Sequence, residues 1–179
     1  MLCSGVRVSI PASEDEVSAA CAEALALAPP AWPITLPRSP QLKGAAEWYE
    51  FEHHAWEIGE SVRRAFVKNR RFKTNSALLT KVAEVARCRN LRRGRQSFVM
   101  ALGFVAARQH APALAEFVSD PDVDGHVVDT LLKMRAPGYA RAIGSLLRSD
   151  KAWIRRLAGR YVERYPDASP VVSTDIEAV

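Results

Sequence analysis

Apolar residues along this chain recur at intervals of three and four rather than two, and that spacing predicts helices that each bury one face. The first stretch opens at Ser13, which stands at capping-box spacing from Glu16; Val17, Ala20, Cys21, Ala24 and Leu25 follow, so a short helix is expected over about residues 13–28. Trp48, Phe51, Ala55, Ile58, Val62, Ala65 and Phe66 form a second stripe, with Gly59 a candidate break into two helices. Later stripes are Leu78, Leu79, Val82, Val85 and Ala86; then Phe98, Ala101, Leu102 and Val105; then Leu114, Phe117 and Val118. Val127, Val128, Leu131 and Leu132 come next, followed by Tyr139, Ile143, Leu146 and Leu147. Ile154, Leu157, Ala158, Tyr161, Val162 and Tyr165 close the series.

The breaks between stripes are as informative as the stripes. Prolines 29, 30, 33, 37 and 40 remove backbone donors and predict an extended strap over residues 29–42. Arg89-Asn90, Ser119-Asp120 and Ser149-Asp150 fall 30 residues apart, each between two apolar stripes. Short polar turns make antiparallel neighbours, and a period of about 30 residues built from paired helices is the signature of a solenoid. The expected organisation is an N-terminal helix and strap over 1–43, a repeat domain over 44–165, and a tail over 166–179 with little to pack. The weak alternation of Val6, Val8 and Ile10 carries no functional expectation.

The run HAPALAEFVSDPDVDGHVVDTLLKM, residues 110–134, resembles a HEAT repeat, with a first helix, an Asp-Pro-Asp turn and a second helix. The pattern returns as YARAIGSLLRSDKAWIRRLAGRYVERY and, more faintly, as ALLTKVAEVARCRNLRRGRQSFVMALGFVA. Ile154-Arg155-Arg156, and Val62-Arg63-Arg64 three periods earlier, look like the family's Val-Arg near the start of the second helix. The resemblance implies an all-α fold, a right-handed alpha-alpha superhelix of HEAT-like helical hairpins. It implies no activity, because such repeats are scaffolds. Asn90 in place of a turn aspartate, Gly125-His126 in place of an arginine, and Gly94 at a helix start depart from the pattern and point to an irregular stack.

Charge changes the picture. The formal net charge of +5 hides a segregation: residues 1–60 carry three basic and nine acidic side chains, residues 61–95 carry twelve and one, and residues 96–179 carry ten of each. A basic stripe of this kind attracts phosphates, acidic proteins or anionic surfaces. If the second helix of each hairpin lines one face, as the resemblance implies, then Arg63 and Arg64, Arg95 and Gln96, His126, and Arg155 and Arg156 form a ladder across it. Arginine holds carboxylate or phosphate bidentately, so the ladder suits binding; it equally suits ties between repeats, such as Asp120 with Arg155 or Arg156. Arg70, Arg71 and Lys73, with Arg89, Arg92 and Arg93, have only Glu84 as a nearby acid in sequence, although the acidic 47–60 helix could also compensate them. The candidate partner-binding residues are therefore Arg63, Arg64, Arg70, Arg71, Arg92, Arg93, Arg95, His126 and Arg156.

Other chemistry is sparse. Glu50, Glu52, His53, His54 and Glu57 include pairs four residues apart, but they lack the His-Glu-x-x-His order and a third ligand, so no metal or other cofactor is expected. Trp48, Trp56, Trp153, Tyr49, Tyr161 and Tyr165 sit at helical spacing that suits packing better than a stacking surface for bases. Cys3, Cys21 and Cys88 are odd in number and have no zinc-finger spacing, which suits reduced thiols in a cytoplasmic protein; Cys88, between Arg87 and Arg89, reads as a helix-terminal structural residue. Residues 17–28 follow three acids and are mostly alanine, so neither a signal sequence nor a membrane span is expected. With no phosphate loop, nucleophile elbow or paired carboxylates, no catalytic residue and no small-molecule substrate are expected. The expected function is binding of a partner protein, as an adaptor or a toxin-neutralising immunity protein does. The alternative is a nucleic-acid-backbone binder related to the HEAT-like DNA glycosylases, working through the same basic stripe.

Overall fold

The computed structural model describes residues 9–30, 36–38 and 48–166. Most of the expected strap, the tail after Pro166, Cys3 and the Val6–Val8 alternation lie outside the described residues. Among the described residues eight α-helices are formed: α1 (Glu14–Ala26), α2 (Glu50–Lys68), α3 (Ser76–Arg87), α4 (Gln96–Ala101), α5 (Ala111–Ala115), α6 (Asp124–Met134), α7 (Ala140–Ile143) and α8 (Ala152–Arg164). Tight 3-10 turns at Arg70–Thr74, Arg89–Arg95, Val105–His110 and Gly144–Arg148 extend or join them. No strand occurs among the described residues; one isolated antiparallel bridge joins Arg38 to Tyr49 at the entry to α2.

The helix starts follow the capping chemistry. Ser13 caps α1 by accepting from the Glu16 amide at 3.1 Å, and Glu16 reaches back one residue beyond the cap, to the amide of Ala12 at 2.7 Å. Asn69 and Asn75 cap the turn at Arg70 and the start of α3 in the same way, accepting from Arg71 and Leu78.

The helices lie in two rows. On one side α1 packs on α3 and α3 on α5; on the other α2 packs on α4, α4 on α6 and α6 on α8. The second row is parallel throughout, as its close approaches show. A Cβ at Gly94 would meet Glu52 and Ala55, while one at Gly59 would meet Ser97 and Phe98, so α2 and α4 advance together. Gln96 donates to the Asp122 carbonyl and Thr130 to the Val99 carbonyl. Gly125 underlies Trp153 and Ile154, and the Tyr161 hydroxyl donates to the Ala136 carbonyl. Parallel members joined by antiparallel partners make a stack of helical hairpins, and one continuous core runs from Val17 to Tyr161.

Two expectations change. Gly59 does not break α2, which runs unbroken for 19 residues; the glycine is needed because a Cβ would stand 2.7 Å from Ser97 Cβ and 2.8 Å from the Phe98 ring. Val105 is exposed, because α4 ends at Ala101 and the chain turns before reaching it. The helix expected in the N-terminal segment, α1, shares the core of the stack, burying Val17, Cys21 and Ala24 against α2 and α3.

Candidate functional site

Nine of the twelve basic residues of the 61–95 stretch fall into two sets once the hairpins stack. The inner set belongs to the turn Arg89–Arg95, which wedges against α2. Arg95 is 1% exposed. Its guanidinium donates to the Asp120 carboxylate, its Nε to the Arg92 carbonyl at 3.1 Å and its Nη1 to the Ala86 carbonyl at 3.5 Å. Arg89 also reaches Asp120, at 3.6 Å, and Arg89 and Arg95 both lie over the Phe117 ring, 4.7 and 4.8 Å from its centroid. Arg92 sits 3.4 Å from Asp122 and 3.6 Å from Glu52, and Arg93 sits 3.6 Å from Asp122.

Arg92 has φ 47° and ψ −125°, a conformation that L side chains rarely adopt, and it is held there by carboxylates from two other hairpins. Glu52, 1% exposed, accepts from the amides of Tyr49 at 2.8 Å and Arg93 at 3.4 Å. Burial pushes its carboxyl above the usual range, and those amides together with Arg92 only partly oppose the push. The network ties the turn before α4 to α2 behind it and to the turn before α6 ahead of it.

The ladder expected across the second row does not form as read from sequence. Arg95, His126, Arg155 and Arg156 lie within or beside the first turns of α4, α6 and α8, whereas Arg63 and Arg64 lie in the C-terminal half of α2. In a parallel row they therefore stand toward the opposite end. Arg95 is internal, and Asp120 is bound by Arg95 and Arg89 rather than by Arg155 or Arg156. Arg155 instead donates to the Ser149 and Asp150 carbonyls at 2.6 and 2.9 Å. His126 lies half-buried with its ring 5.4 Å from that of Trp153, and burial lowers its pKa. Arg156 is exposed. Arg63 makes a two-pronged pair with Glu60 at 2.9 and 2.8 Å, which holds the Glu60 carboxyl below the usual range.

The outer set is Arg64, Lys68, Arg70 and Arg71, all exposed, with Lys73 half-buried 5.9 Å from the Phe104 ring centroid. Among the described residues no carboxylate lies within 4 Å of any of them. Phe72 fixes the turn that carries Arg70, Arg71 and Lys73: it is buried, its ring centroid 6.0 Å from that of Phe66, so the flanking Arg71 and Lys73 are set at the surface edge. Cations after the last turn of α2 also complement the helix dipole. The neighbouring turn Val105–His110 packs against Arg70–Thr74. Val67, 63% exposed, stands on α2 just before Lys68, and Val105, 48% exposed, on the turn that packs against Arg70–Thr74.

Elsewhere the chemistry disperses. Glu52 points inward, His54 lies 3.6 Å from Glu23 and 3.8 Å from Glu57, and His53 stacks on Trp56; among the described residues no three His, Cys, Asp or Glu gather as a metal would need. Cys21 is buried, which pushes its thiol up to about 12 and leaves it a packing residue. No described helix is long and apolar enough to cross a membrane. Comparison of the chain with protein-family models, with curated proteins and with solved structures finds no match to any.

Proposed function

We propose that this chain is a non-catalytic scaffold of HEAT-like hairpins, wound as a right-handed superhelix, that binds a partner protein through the corner formed by Arg64, Lys68, Arg70 and Arg71. The observation that carries the reading is the contrast between the two sets of cations. The fold neutralises the Arg89–Arg95 turn with three carboxylates drawn from the hairpins on either side, yet sets no carboxylate of the described residues within 4 Å of the corner cations, which flank the exposed Val67. A partner that brings carboxylates and an apolar side chain satisfies both features. A toxin neutralised by such a chain, or a component held by an adaptor, has that character.

The basic stripe also suits nucleic-acid backbone, but protein is favoured by the valines. They bury area against an apolar side chain and offer no flat face on which a base can stack. The test is co-expression of the full chain with the product of the neighbouring gene and native mass measurement of the mixture. A stable complex that Arg70→Glu with Arg71→Glu dissolves supports the reading. Absence of a complex, or salt-steep binding of duplex DNA that the same variant abolishes, overturns it.

A further inference from the structure

Helix α8 buries Ile154, Ala158 and Tyr161, and packs on α6 and on the turn Gly144–Arg148. Trp153, at the edge of that buried face, and Arg156, Arg160 and Arg164 on the exposed side succeed one another at three and four residues, with the exposed Glu163 three residues after Arg160, so the helical repeat sets them in one strip. Trp153 is 38% exposed, yet its ring is fixed from below. Gly125 of α6 leaves the space for it, since a Cβ there would stand 2.1 Å from ring atom Cη2, and the His126 ring lies against it at a 48° tilt. Arg156 and Arg160 are exposed, with no carboxylate of the described residues within 4 Å. Arg164 lies 5.5 Å from the Tyr165 ring centroid. Like charges four residues apart on a helix repel, and Glu163 is the one acid of α8 set against the strip's three arginines.

We infer, resting on the partner-protein reading above, that this strip is a second docking surface, for an acidic protein helix with carboxylates one turn apart. Tryptophan and arginine are the residues that dominate interface hot spots, and a ring already held by its own protein loses little freedom on binding. Guanidinium groups one helical turn apart match carboxylates four residues apart on a helix laid alongside, each pair able to form a two-pronged contact. Single-stranded nucleic acid fits less well, because the tryptophan ring is partly covered by His126 and does not offer a free face to a base, and duplex DNA would engage the arginines alone and leave Trp153 unused.

The experiment uses the full chain and two probes: a synthetic helix-forming peptide of alanine, leucine and glutamate, with glutamates four residues apart, and a short mixed-sequence DNA duplex. The readout is the Trp153 indole N–H resonance, assigned with Trp153→Phe, and circular dichroism confirms that Arg156→Glu with Arg160→Glu remains helical. The peptide is expected to shift that resonance and to bind the double variant about tenfold more weakly, while Arg70→Glu with Arg71→Glu leaves the shift unchanged. The inference is overturned if the peptide leaves the resonance unmoved at low salt, if the α8 variant binds as wild type, or if DNA displaces the peptide. An unmoved resonance alongside an intact corner-dependent complex sinks the strip alone; a normal shift with no such complex sinks the corner alone.

Discussion

Arg95, from the turn before α4, and Asp120, from the turn before α6, form an ion pair that joins two neighbouring hairpins, with the arginine almost wholly excluded from water. Removing Asp120 strands the Arg95 charge in a poorly hydrated site, and removing Arg95 leaves the mostly buried Asp120 with only the exposed Arg89 as a cation. Arg95→Met is therefore expected to cost about 3–5 kcal/mol in urea denaturation, and Asp120→Asn a comparable amount. The double variant should lose less than the sum, since neither charge is then left alone. Additive losses would mean that the two side chains act independently.

Gly59 gives a prediction of sign. In an exposed helix interior, alanine in place of glycine stabilises by about 1 kcal/mol. Here the added Cβ would sit 2.7 Å from Ser97 Cβ and 2.8 Å from the Phe98 ring, and α4 would have to move away. Gly59→Ala is expected to destabilise by about 1–3 kcal/mol. A rise in thermal midpoint would show that α2 and α4 do not approach so closely.

Two buried glutamates should respond to pH in opposite directions. The Arg63 hydrogen bonds lower the folded-state pKa of Glu60, so its stabilisation is present above the ordinary glutamate range and is lost as pH falls through the folded value. Glu60→Gln is expected to destabilise at pH 7 and to approach wild type in acid. Burial raises the folded-state pKa of Glu52, so wild type loses stability as pH rises from the unfolded value to the folded one. Glu52→Gln should therefore compare more favourably with wild type at neutral pH than in acid. Urea midpoints measured across the acid range check both, and parallel curves for the two variants would refute the assignment.

The helix faces were legible because burial of one side imposes its period on the sequence: Ala55, Ile58, Val62, Ala65 and Phe66 are all buried, as are Leu78, Leu79, Val82, Val85 and Ala86. The 30-residue spacing of the polar turns was legible for the same local reason. Gly59 was misread because a glycine that breaks a helix and one that lets a second helix approach look alike in one dimension. The charge segregation was visible, but its compensation was not. Glu84 is the nearest acid in sequence, whereas the carboxylates that meet the Arg89–Arg95 turn come from Glu52, Asp120 and Asp122. The internal period held the missing signal, since Arg92 and Asp122 stand one repeat apart.

The division of the basic stretch into arginines that hold the stack and arginines proposed to face a partner is tested most directly by urea denaturation of two charge-reversal variants, each measured against wild type. Arg70→Glu with Arg71→Glu is expected to stay within about 0.5 kcal/mol of wild type, as exposed substitutions do. Arg92→Glu with Arg93→Glu, which sets new negative charge against Glu52 and Asp122, is expected to lose about 3 kcal/mol or more. Equal tolerance of the two variants, or greater damage from the first, would contradict the division.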